Sequence, residues 1–171
     1  IMRRKIFITI IVFLINLYGM NNSCASKIDT AITFEGKIVF EKLDNNKAQQ
    51  IFILDGKTGK LVKLTSVGKN GQPKWSLYGS KIAFTSARSG HSWEIYIMDS
   101  EGSDQKRITY TMDGFSTQPR WESANKLYFF SNIKGDLHEN MVNLKTGEVK
   151  TIASTGKIPV VKAIPIKGIT A

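Results

Sequence analysis

The sequence has one cysteine, two histidines and four prolines in 171 residues. The single thiol, Cys24, excludes an intrachain disulfide, so the fold holds by packing alone. Two histidines, His91 and His138, with no HExxH and no second cysteine, leave no ligand set for a zinc site. No GxSxG, no phosphate-binding glycine loop and no GxGxxG ahead of a helix is present, and no nucleophile, base and orienting residue stand in an arrangement that proposes catalysis. The chain therefore reads as a non-enzyme without cofactor or metal. No helical period is sustained after residue 26, which predicts an all-β mature chain. Its positive charge also lacks clustering. The formal net charge is +10, but beyond Arg3-Arg4-Lys5 the basic residues are scattered and mostly lysine, which argues against nucleic acid as a partner.

What is present begins with that basic triplet. It precedes an apolar run from Ile6 to Met20, interrupted only by Thr9, Asn16 and Gly19, and then Ser23-Cys24-Ala25. This order is that of a secretory signal over residues 1–25, shorter than the roughly 20 apolar residues that span a bilayer. Cleavage after the small-x-small triplet and lipidation of Cys24 are both open. In either case the protein is expected to be exported, as a soluble periplasmic form or a membrane-anchored lipoprotein, touching a membrane only through its signal or a lipid. The loss of residues 1–25 leaves a net charge of +7.

The rest, residues 26–171, is repetitive. Gly36-Lys37-Ile38-Val39-Phe40 matches Ser80-Lys81-Ile82-Ala83-Phe84 and Asn125-Lys126-Leu127-Tyr128-Phe129, at shifts of 44 and 45. Ile51-Phe52-Ile53-Leu54-Asp55 matches Ile95-Tyr96-Ile97-Met98-Asp99 and Glu139-Asn140-Met141-Val142-Asn143. Gln72-Pro73-Lys74-Trp75 matches Gln118-Pro119-Arg120-Trp121 at a shift of 46. A period near 45 with four short alternating strands, a to d, separated by turns such as Asp55-Gly56 and Glu101-Gly102-Ser103, is the blade of a β-propeller. Blades are expected at about 34–65, 73–109 and 119–153. In the second, strands fall at Lys74–Ser76, Lys81–Ser86, Trp93–Asp99 and Gln105–Thr109; the first lacks a strand a. Pro165 lies 46 residues after Pro119, so a closing or next-blade strand a is expected over 160–168.

The series Pro73-Lys74-Trp75-Ser76, Ile82-Ala83-Phe84-Thr85-Ser86-Ala87-Arg88-Ser89-Gly90, Glu94-Ile95-Tyr96-Ile97-Met98-Asp99 and Arg107-Ile108-Thr109 resembles the TolB-type, WD40-like propeller repeat. The resemblance runs from about residue 34 to 153. It implies a toroid of four-stranded blades in a bacterial cell envelope, a non-catalytic module whose partner is an envelope protein or a cell-surface polymer. Similar repeats form the propeller of prolyl-oligopeptidase-type hydrolases, so the second reading is the propeller portion of such a secreted enzyme, with its catalytic domain outside this chain.

Recurrence of Trp75 and Trp121 at one strand position predicts packing between blades rather than exposed stacking platforms. Ser86 and Arg88 suit either a ligand contact or a hydrogen-bonded loop, with the loop favoured. Binding, if present, belongs at the channel mouth, where the d–a loops (66–72 and 110–118) and b–c loops (87–92 and 132–137) gather. Arg88, His91, Trp93, Tyr110, Asp113 and Phe115 are the residues there with most contact potential.

Three blades are fewer than the four to eight of closed propellers, and an open stack is expected to leave apolar faces at both ends. Two chains could pair into a six-bladed ring, for which the matched strand inventory speaks. Alternatively the frame is truncated, as Ile1 ahead of Met2 and the abrupt stop suggest, and this weighs more.

Overall fold

The computed structural model describes residues 8–9, 34–90, 92–133 and 135–154. Among the described residues there are twelve strands in three four-stranded sheets and no helix. The first sheet holds β1 (Ile8–Thr9), β2 (Lys37–Leu43), β3 (Gln49–Asp55) and β4 (Leu61–Lys63). The second holds β5 (Asn70–Trp75), β6 (Lys81–Ser86), β7 (Glu94–Asp99) and β8 (Lys106–Arg107). The third holds β9 (Gly114–Ser123), β10 (Lys126–Ile133), β11 (Asp136–Asn143) and β12 (Val149–Ser154). In each sheet the strands lie side by side in chain order, the a-b-c-d meander of a propeller blade.

The first sheet departs from this pattern. Its a position, for which the repeat offers no strand, is taken by β1, which runs parallel to β2 with Ile8 opposite Ile38. β5 and β9 run antiparallel to their neighbours. The export signal expected over 1–25, Cys24 and the strand expected over 160–168 lie outside the described residues, apart from Ile8 and Thr9.

Alternation along each strand sends successive side chains to opposite faces. Val39, Ile51 and Ile53 of the first sheet therefore meet Ile82, Phe84, Tyr96 and Met98 of the second. Ala83, Ile95 and Ile97 on the second sheet's other face meet Leu127, Phe129 and Val142 of the third. Trp75 and Trp121 pack into these seams, as their recurrence predicts. Trp121 is 8% exposed and its Nε1 donates to the carbonyl of Lys74, 3.0 Å away in the neighbouring sheet.

Strand a is longer than the sequence reading allowed. The stretches 70–72 and 114–118 read as loop because asparagine, glycine, serine and glutamine favour turns. They nevertheless continue the ladder through a register shift, with Gln72 and Gln118 both at φ 53°. The extra residue of a β-bulge hides the alternation that a pattern search relies on. Phe115, expected in a loop, is consequently held on β9 opposite Asn132 of β10.

Candidate functional site

At the b–c and d–a end of the sheets a pocket of about 280 Å³ opens between the first two sheets and the start of β9. It is lined by Glu41, Gln49, Gly71, Gln72, Thr85, Trp93, Phe115 and Thr117. The lining follows from strand geometry. Glu41 and Thr85 stand near the ends of the b strands, Gln49 and Trp93 at the starts of the c strands, and the other four on the bulged beginnings of the a strands.

Hydrogen bonds fix this rim across the sheets. The backbone N–H of Gln72 donates to Glu41 Oε2 at 2.5 Å. Gln72 Oε1 in turn accepts from the N–H of Gln118 at 2.8 Å and from Thr117 Oγ1 at 2.7 Å. Each bulge N–H, which its own ladder cannot satisfy, is thus met by a side chain from the preceding sheet. Gly71 makes room for this: a Cβ there would lie 2.7 Å from Glu41 Oε2 and 3.1 Å from Gln49 Nε2.

Of the residues expected at the mouth, Trp93 and Phe115 are brought together in the pocket lining, and Phe115 is 38% exposed. Tyr110 is equally exposed, its ring 4.2 Å from the Arg107 guanidinium. Asp113 is exposed in the turn before β9, at φ 55°. His91 lies outside the described residues. Arg88 goes elsewhere. Its guanidinium lies over the rings of Phe84 and Tyr96 and donates to Ser86 Oγ, Gln105 Oε1 and Asn70 Oδ1 at 2.6–2.9 Å. Burial lowers the pKa of this guanidinium and raises that of the Tyr96 phenol. These bonds are the loop-pinning set, and they occupy Arg88 inside the seam between the first two sheets.

A second polar centre was not foreseen. Gln50, Glu94 and His138 recur at a spacing of 44 and are each at most 1% exposed. Gln50 Oε1 accepts from Thr65 and Asn70. Glu94 accepts from Arg107 at 2.8 Å, from Thr109, and from the backbone of Thr111 at 2.7 Å. The ring nitrogens of His138 have no partner among the described residues. Glu94 is thus a structural anion beneath the d–a connection. No group of three or more His, Cys, Asp or Glu residues stands together as a metal site among the described residues.

Sequence reasoning singled out none of Glu41, Gln49, Gly71 and Gln72: the first two lie in strands, which carry no loop signal, and the last two in an expected loop from which only aromatic and charged residues were chosen. One clue was available: Glu41 occupies the repeat position that holds Thr85 in the second blade and Phe130 in the third.

The comparisons agree with this architecture. Among solved structures, a TolB from Agrobacterium tumefaciens superposes with a TM-score of 0.61 at 21% identity, over 74% of this chain and 47% of that one. TolB from Acinetobacter baumannii gives 0.53 at 21% identity, over 70% of this chain and 30% of that one. Among curated proteins, the uncharacterized peptidase YuxL of Bacillus subtilis is 38% identical over 72 residues, which are 42% of this chain and 11% of YuxL. The chain spans less than half the length of each of these relatives. The family model of the TolB beta propeller domain matches residues 16–159, and the chain belongs to that family.

Proposed function

We propose that this chain is an exported, non-catalytic propeller module that captures an envelope protein or a cell-surface polymer at its channel mouth. One observation carries the reading. Of ten exposed large apolar side chains among the described residues, six stand at the b–c and d–a end: Leu43, Val67, Tyr110, Met112, Phe115 and Leu137. Met112 is 81% exposed. Apolar groups concentrated on one end, around a pocket lined by both aromatic and polar side chains, have the composition of a protein-binding surface. Trp93 and Phe115 are its aromatic anchors.

The test is capture of envelope proteins from a membrane extract by the full chain, against a Trp93→Ala/Phe115→Ala variant. The variant should lose most of the specifically captured material; capture at wild-type level by a folded double mutant defeats the assignment. A second reading is supported by the 38% identity to a protein named as a peptidase: the chain as the propeller portion of a secreted hydrolase. A GxSxG-bearing frame continuous with this one in the coding DNA supports that reading.

A further inference from the structure

The pocket itself has a chemical preference. Its one ionised lining residue is Glu41, which has no ion-pair partner among the described residues, in a chain of net charge +10. Two lysines of the first sheet are directed elsewhere. Lys42 lies 4.9 Å from the Phe52 ring centroid, on the opposite face of β2 from Glu41, and Lys63 pairs with Asp44 at 3.2 Å. One oxygen of the Glu41 carboxylate accepts the Gln72 N–H, and among the described residues no hydrogen bond occupies the other. Around it stand two aromatic side chains, Trp93 and Phe115, and the neutral polar groups of Gln49, Gln72, Thr85 and Thr117.

A carboxylate that shares a pocket with aromatic rings attracts a cation by its charge, the ring quadrupoles add to this wherever a face is presented, and partial enclosure strengthens both. At about 280 Å³ the space is at the small end for ligand pockets, the scale of one long side chain rather than a cofactor. The glutamate is particular to this seam, since the same repeat position carries Thr85 and Phe130 in the other blades.

We propose that this pocket receives a basic side chain, a lysine ammonium or an arginine guanidinium, from a partner polypeptide. Glu41 is the counter-charge, and Trp93 and Phe115 are the walls. The proposal rests on the reading of the mouth as a protein-binding face and specifies the group that anchors there.

The test titrates the full chain calorimetrically with three acetylated, amidated pentapeptides: Gly-Gly-Lys-Gly-Gly, its arginine counterpart, and a norleucine version that keeps the stem and removes the charge. The lysine and arginine peptides should bind saturably, and the norleucine peptide at least tenfold more weakly. Glu41→Gln keeps an acceptor for the Gln72 N–H and should abolish that discrimination. Gly71→Ala, which displaces Glu41 and Gln49 without changing charge, should weaken the basic peptides about tenfold. Unchanged thermal midpoints establish that both variants fold. Norleucine binding as tight as lysine, or discrimination that survives Glu41→Gln, overturns the cation site while leaving the mouth-face reading intact. Absence of saturable binding by either basic peptide overturns it as well. Loss of envelope capture in Trp93→Ala/Phe115→Ala bears on the mouth-face reading alone.

Discussion

The outer faces of the first and third sheets are opposite sides of the repeat and differ in chemistry. On the first sheet the face turned away from the second carries Ile38, Phe40, Phe52 and Leu54, with Phe40 and Phe52 stacked at 6.3 Å. Their repeat equivalents, Ile82, Phe84, Tyr96 and Met98, form one side of a buried seam. On the third sheet the face turned away from the second carries Tyr128, Phe130, Glu139 and Met141; at the positions of Tyr128, Glu139 and Met141 the other sheets place Val39, Ile51 and Ile53 or Ala83, Ile95 and Ile97. Arg120 covers Tyr128 at 4.6 Å and pairs with Glu139 at 3.0 Å. The sequence reading expected apolar faces at both ends. The structure shows one apolar face and one on which Arg120 and Glu139 lie among Tyr128, Phe130 and Met141.

The largest effects should separate seam from face. Phe84→Ala and Phe129→Ala remove rings at most 1% exposed and should each cost about 3–5 kcal/mol in urea unfolding. Phe40→Ala, at the equivalent position on the first sheet, should cost less than half as much. Equal costs would mean that the outer face of the first sheet is as tightly covered as the seams, and the contrast would collapse.

A smaller loss is expected at the buried anion. Glu94→Gln gives the second blade the residue that Gln50 supplies to the first. Arg107 and Thr111 are placed for a carboxylate, so the change should cost about 1.5–3 kcal/mol in the same measurement. A neutral result would make the two centres interchangeable.

On the outer face of the third sheet, Arg120→Ala should change stability by less than about 1 kcal/mol, because Arg120 is 64% exposed and its ion pair is well solvated. A loss as large as that of Phe84→Ala would show that this face, too, is a seam.

The turns give the finest comparison. Asp55, Asp99 and Asn143 occupy one repeat position at the c–d turn. The Thr58 backbone N–H holds the Asp55 carboxyl below its ordinary value, and the Ser103 hydroxyl does the same for Asp99. A lowered folded pKa means stability that is fully present above the ordinary aspartate value and lost as pH falls through the folded one. Asp99→Asn should therefore flatten the acid limb of thermal stability slightly below about pH 4, toward the behaviour that Asn143 gives the third blade. An unchanged limb removes Asp99 from the acid response.

The b and c strands were legible in the sequence because their side chains alternate between two seams. Lys81–Ser86 was read to the residue, and the c strand of the second blade to within one. The a strands were read short because the bulges at Gln72 and Gln118 break the alternation. Trp93 and Phe115 were found as aromatic residues near predicted loops. Glu41 was not, since a glutamate in a strand reads as a solvated position until the neighbouring sheet is placed against it. Arg88, for which the sequence favoured a hydrogen-bonded loop over a ligand contact, has Ser86, Gln105 and Asn70 around it.

The glutamine at the bulge has a bearing on how such a molecule can lengthen. Gln72 receives an acceptor from the sheet before it and offers one to the sheet after it. A gene segment of some 46 codons therefore encodes both halves of a junction. Tandem duplication of that segment delivers a new blade already fitted to its neighbours, without any contact having to evolve afresh.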